Sequence, residues 1–204
     1  MGGIGPGSGA GATVTWVRPD GKAFARSPDD DGEYAECREG DVEAWLAAGW
    51  TVHRREDEYL VPTVAAAESH PFLHLEDVDL EQLRLLDDEL RRDVPGIGDW
   101  RWTPEAFLAE THSSPSVYLV APGYDGICRV WLREPTPRLG FVGVARSARG
   151  RGLGRALVAA ALGETNALGF GEVTTEIDVD NTASQALFRR FGARRIGGFV
   201  ELIR

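Results

Sequence analysis

The 204-residue chain is 43% hydrophobic, enough for one ordinary domain with a packed core and an appendage. Its 22 basic and 32 acidic residues give a formal charge of −10, which opposes attraction to phosphate backbones and argues against nucleic acid as a partner. No apolar run reaches the roughly 20 residues that span a bilayer, and the glycine-rich start, Met1 to Gly11, has neither the charged nor the apolar block of a secretion signal. The expectation is a cytoplasmic chain with no membrane partner. The two cysteines, Cys37 and Cys128, and the four histidines fall at no disulfide-framework or metal-ligand spacing, so no metal is expected.

The elements are read in chain order. Residues 1–12 form a leader expected to be disordered, and residues 13–66 a small αβ segment. That segment holds a helix over Asp41 to Ala48, closed by Gly49, and a strand over Trp50 to Val61. After the linker "PTVAAAES" comes a short strand in "HPFLHLE". The run "DLEQLRLLDDELRR" sets Leu80, Leu83, Leu86 and Leu90 at helical spacing behind Asp79 as N-cap. A second helix starts at Thr103-Pro104-Glu105, where cap, N1 proline and first-turn acid coincide. "SVYLVA", "ICRVWL" and "LGFVGV" read as a meander of antiparallel strands. A helix from Gly150 to about Leu168, the strand "EVTTEIDV", a helix from Thr182 to Phe191 and a strand pair around Gly197-Gly198 complete the chain. The fold class is α/β, a mixed and mostly antiparallel sheet flanked by helices.

Chemistry concentrates in "VARSARGRGLGRALV", Val144 to Val158. Glycines at 150, 152 and 154 let a ligand approach the backbone at the start of a helix, where unpaired N–H groups and the positive end of the dipole favour an anion. Arg149, Arg151 and Arg155 add charge, and a pyrophosphate fits. The P-loop's GxxxxGK and the dinucleotide GxGxxG are both absent.

Arg149-Gly150-Arg151-Gly152-Leu153-Gly154 resembles the acetyl-CoA loop of the GNAT superfamily of N-acetyltransferases, and the order of elements around it is similar. Asn181-Thr-Ala-Ser184-Gln-Ala-Leu187-Phe188-Arg-Arg-Phe191-Gly192 resembles that family's second signature. The resemblance covers residues 70–204. It implies acetyl-CoA as co-substrate, with Phe141, Val142, Gly143 and Val144 along the pantetheine and Arg149 to Arg155 around the pyrophosphate. It also sets Asn181 and Ser184 on the far side of the cofactor arm, although Asn181 is equally good N-cap chemistry.

The implied reaction is direct attack of a primary amine on the thioester, which needs a base because an alkylammonium stays charged at neutral pH. Glu176 and Asp178 alternate onto one strand face and are the carboxylates expected to serve, a solvated or ion-paired face being the competing reading. Oxyanion stabilisation would come from a backbone N–H of Val142 to Val144. Phe188 stands where many relatives have a proton-donating tyrosine; Tyr118 and Tyr124 are substitutes by residue type alone. In "DVPGIGDWRW", Asp93, Asp99, Trp100 and Trp102 suit a cationic amine of a small molecule or peptide; tryptophans capping the core are the alternative. The phenylalanine also allows a non-catalytic acyl-CoA-binding module. The front segment faintly echoes the chain's final helix and strand, as the remnant of a duplicated half or as an unrelated cap, and leaves a homodimer open.

Overall fold

A computed structural model describes residues 24–65, 69–95 and 101–204. The leader and the loop residues Asp99 and Trp100 lie outside these ranges. In chain order the elements are β1 (Phe24–Ala25), β2 (Tyr34–Arg38), α1 (Val42–Ala47), β3 (Thr51–Pro62), β4 (Leu73–His74), α2 (Leu80–Arg91) and α3 (Pro104–His112). They continue with β5 (Ser116–Val120), β6 (Gly126–Trp131), β7 (Arg138–Val144), α4 (Leu153–Ala167), β8 (Glu172–Asp178), α5 (Thr182–Arg189) and β9 (Arg194–Ile203).

Helices begin where a cap meets an apolar stripe. Asp79 accepts a hydrogen bond from the Gln82 N–H at 2.8 Å, and Leu83, Leu86 and Leu90 are buried along α2. Thr103 accepts from the Ala106 N–H at 3.1 Å, with Pro104 opening α3.

The described strands form one sheet in the order β1-β2-β9-β3-β8-β7-β6-β5-β4. The β1–β2 and β7–β8 pairs are parallel and the other pairs antiparallel, so the mixed, mostly antiparallel sheet read from the sequence is present. Alternation along β5 places helices on both faces. Val117 and Leu119 pack with Leu157 and Ala161 of α4, and Tyr118 and Val120 with Leu86 of α2 and Phe107 of α3. A third cluster joins Trp45 and Trp50, in edge contact at 5.2 Å, to Ala35, Val200 and Leu202. No helix among the described residues is long and apolar enough to cross a membrane.

The two-residue β1 is absent from the sequence reading, and two longer elements differ from it. β2 was not expected, because only Ala35 and Cys37 of its five residues turn inward. The expected strand pair around Gly197-Gly198 is instead the single ten-residue strand β9. The glycines make no turn there. A Cβ on Gly198 would stand 2.8 Å from the Glu56 carbonyl oxygen, so the smallness of Gly198 admits β3.

The front segment enters the sheet itself. β3 lies between β9 and β8, antiparallel to both, and β2 flanks the far side of β9. The units β2-α1-β3 and β8-α5-β9 are therefore interleaved, each holding one strand of the other between its own two.

Candidate functional site

β7 and β8 run side by side but pair at one position, Arg138 with Thr174, and then diverge. Beyond it the outer edge of β7 has no ladder partner among the described residues, while its inner edge continues on β6. A bulge at Gly140 starts the divergence, where the β6 register slips between Arg129 and Val130. Trp131 fills the space there, since a Cβ on Gly140 would lie 1.4 Å from its ring.

At one end of the divergence lies the glycine-arginine loop. Gly150 and Gly152 have φ of +77° and +87°, and a Cβ at either would meet nothing within 4 Å. Gly152 caps α4 without a side chain, so the first-turn N–H groups have no side-chain acceptor. They open onto a groove walled by Val144, Arg149, Gly154 and Arg155 on one side and Ala183, Leu187 and Arg190 of the α5 region on the other. Leu153 also lines it, whereas Arg151 points to solvent. Arg149 donates through Nε to the Val144 carbonyl at 2.9 Å and through Nη2 to Asp93 at 2.8 Å. Arg146 grips the same carboxylate at 2.8 and 2.6 Å. Asp93, expected at the acceptor rim, thus sits on the loop arginines. Hydrogen bonds from Arg146, then Arg149, pull its pKa down to about 2.

At the other end, a cleft is lined by Phe141 and Val142 of β7, Thr175 to Asp178 of β8, and Asn181, Ser184 and Phe188. Asn181 accepts a hydrogen bond from the Ser184 N–H at 3.1 Å, so it caps α5 while facing the cleft. Phe188 is buried. Gly143 lies on the same strand, where a Cβ would press on Leu90 at 2.9 Å. Arg138 binds Glu176 through Nε at 3.2 Å and also through Nη2. Asp178 accepts the Asp180 N–H at 2.8 Å, and its other oxygen lies 3.7 Å from Arg54.

Sequence reasoning missed Arg54 and Glu56, which reach this cleft from β3. Arg54 donates to Glu56 at 2.7 Å and is also bound by Glu201. Burial, opposed by Arg54 and reinforced by Glu176, raises the Glu56 pKa above the usual carboxylate value. The available signal was the regular spacing of Arg54, Glu56 and Glu58, three charges on one face of a long strand.

The aromatic candidates sit elsewhere. Tyr118 is buried on the α2 side of the sheet beneath Arg129, lining a small cavity with Trp102 and Phe141, and burial pushes its pKa up. The Tyr124 hydroxyl accepts the Asp79 N–H at 2.9 Å. Trp102 is pinned to α2, donating through Nε1 to Asp87 at 2.7 Å and through its backbone N–H to Asp88 at 3.0 Å.

The fold also gathers two histidines that looked scattered. His70 Nε2 stands 2.6 Å and His74 Nε2 3.4 Å from Oε1 of Glu164 on α4. His70 Nδ1 accepts the Phe72 N–H at 3.3 Å. His70, His74 and Glu164 thus bring one ligand atom each within 4.8 Å of the others, close enough together to hold a metal ion.

Residues 83–193 match the model of the acetyltransferase (GNAT) family. The chain is 34% identical over 108 residues to the N-alpha-acetyltransferase RimI of Mycobacterium tuberculosis, an overlap of 50% of this chain and 66% of that protein. Its fold is similar to a GCN5-related N-acetyltransferase from Sphaerobacter thermophilus, with a TM-score of 0.64 at 20% identity over 84% of this chain and 58% of the other. It is also similar to a tandem GNAT protein from the clavulanic acid biosynthesis pathway, with a TM-score of 0.60 at 14% identity over 84% and 63% of the two chains. The chain thus spans less than two thirds of each of these relatives. With a family match across more than half the sequence and a diverging strand pair that runs into a glycine-rich helix start, the chain belongs to the acetyltransferase (GNAT) family.

Proposed function

We propose that this protein uses acetyl-CoA to acetylate a primary amine of a peptide or small cationic molecule by direct attack, in the cytoplasm. The observation that carries the reading is the opening between β7 and β8, which leads from the uncapped start of α4 to the carboxylate-lined cleft.

The residues fit the co-substrate. Open glycines and free first-turn N–H groups suit a pyrophosphate, with Arg149 and Arg155 adding charge. The free edge of β7 from Phe141 to Val144 suits the amides of the pantetheine arm, with Asn181 and Ser184 opposite. Acetyl-CoA, when bound, supplies the activated acyl group. A β7 backbone N–H polarises the carbonyl oxygen. Glu56, Glu176 and Asp178 outnumber Arg54 and Arg138 in the cleft by one charge, a small acidic excess that favours an ammonium. Nα-acetylation, the activity in the name of the mycobacterial relative, supports a peptide amino terminus as acceptor.

The test is release of CoA thiol from acetyl-CoA with a panel of peptide amino termini and polyamines. Release with one class identifies the acceptor. Binding of acetyl-CoA without release from any amine would favour the non-catalytic acyl-CoA-binding module, which Phe188, unable to give a proton, allows.

A further inference from the structure

We propose that Glu56, delivered by β3 of the front segment, is the base that takes the proton from the acceptor amine, so that residues 24–65 complete the catalytic cleft of the family domain. The inference rests on the acetyl-transfer reading above.

Three carboxylates line the cleft: Glu56, Glu176 and Asp178. Glu176 has both oxygens engaged by Arg138. Asp178 accepts the Asp180 N–H at one oxygen, in the turn into α5, and holds the other 3.7 Å from Arg54. Among the described residues, Glu56 accepts a hydrogen bond at Oε1 alone, from Arg54, which leaves Oε2 for the substrate. Its position is fixed twice. It faces Asp178 across the β3–β8 ladder, and Arg54 is itself braced by Glu201 of β9.

The environment also favours the protonated form of Glu56. It is packed among Glu176 and Asp178 of β8, Glu201 of β9 and Glu36 of β2, with Arg54 on its own strand and Arg138 on β7 as the cations among the described residues, while Glu58 two residues along is held by Arg38 at 2.5 Å. Burial outweighs the arginines and raises its pKa above the ordinary carboxylate value, the direction that suits a general base.

In the proposed step the ammonium gives one proton to Glu56 Oε2, and the freed lone pair forms the C–N bond to the acyl carbon. The C–S bond then breaks, the thiolate takes the second nitrogen-bound proton as CoA thiol, and Glu56 returns its proton to water.

Full-length Glu56→Gln tests this by calorimetric titration with acetyl-CoA, thermal melting, and thiol release against pH with the best acceptor. The expected result is unchanged acetyl-CoA affinity, a folded protein, kcat lower by about 100-fold with KM for the amine within a few-fold, and loss of the acidic limb of the pH profile. Wild-type kcat with that limb intact would overturn the proposal. Should Glu56→Gln fail to fold, Glu56→Asp decides: a limb shifted toward lower pH supports the role, and an unmoved limb refutes it. Absence of thiol release from the wild-type protein with every amine would instead refute the acetyl-transfer reading itself.

Discussion

Glu56 and Phe199 face each other across the β3–β9 ladder, and they hold equivalent places in the two interleaved units. The displacement along the chain that carries Gly49 onto Gly192, the left-handed glycines that end the two helices, also carries Glu56 onto Phe199. A local two-fold relation therefore passes through this pair. Its outer contacts agree, because Arg38 of β2 pairs with Phe199 as Asp178 of β8 pairs with Glu56. The two units are thus alike in backbone and opposite in use. One strand centre carries a carboxylate into the cleft and the other carries a phenylalanine stacked under Arg38 at 4.0 Å.

Gly140 is required for the opening of β7 from β8. Gly140→Ala drives a methyl group into the Trp131 ring, and the expected destabilisation is about 1–3 kcal/mol, or more if the bulge cannot relax. Urea unfolding of the two proteins measures it. An unchanged midpoint would show that Trp131 has another place to go.

Asp93 neutralises Arg146 and Arg149 at the phosphate end of the groove. Asp93→Asn should tighten acetyl-CoA binding by a few-fold at low ionic strength, with the gain shrinking as salt is added. Weaker binding at low salt would mean that Asp93 serves to hold Arg149 in place.

Gly152 combines a left-handed backbone with the start of α4. Gly152→Asp places a carboxylate where the phosphates are expected and should abolish acetyl-CoA binding in a folded protein. Undiminished affinity would sink the loop assignment.

Glu36 reaches solvent, yet the surrounding protein, and then Glu176 and Glu56, push its pKa up to about 7 from an ordinary 4.5. A carboxylate raised on folding contributes its full stability below about pH 4.5 and loses it as the pH climbs through 7. Glu36→Gln should therefore raise Tm by roughly a few degrees at pH 8 and leave it nearly unchanged at pH 5. Equal melting at both values would show that the neighbouring carboxylates do not act on Glu36.

Local chemistry was legible wherever it is written in consecutive residues. The caps at Asp79 and Thr103, the leucine stripe of α2 and the glycine-arginine loop all appear in the structure where their spacing puts them. Nonlocal pairing was not. The glycines at 197 and 198 read as a turn because nothing nearby in sequence discloses that the Glu56 carbonyl lies against Gly198. Glu176 reads either as a base or as part of an ion-paired face because Arg138 is distant along the chain and adjacent only once β7 and β8 meet. β2 escaped notice because two small inward residues do not make an apolar pattern.

The central claim is that the β7–β8 opening and the α4 start hold acetyl-CoA. Calorimetric titration with acetyl-CoA, beside CoA and desulfo-CoA, tests it most directly. The account predicts micromolar, one-to-one binding of all three, since the shared pyrophosphate and pantetheine supply the contacts. No heat and no thermal shift with any of them would contradict it.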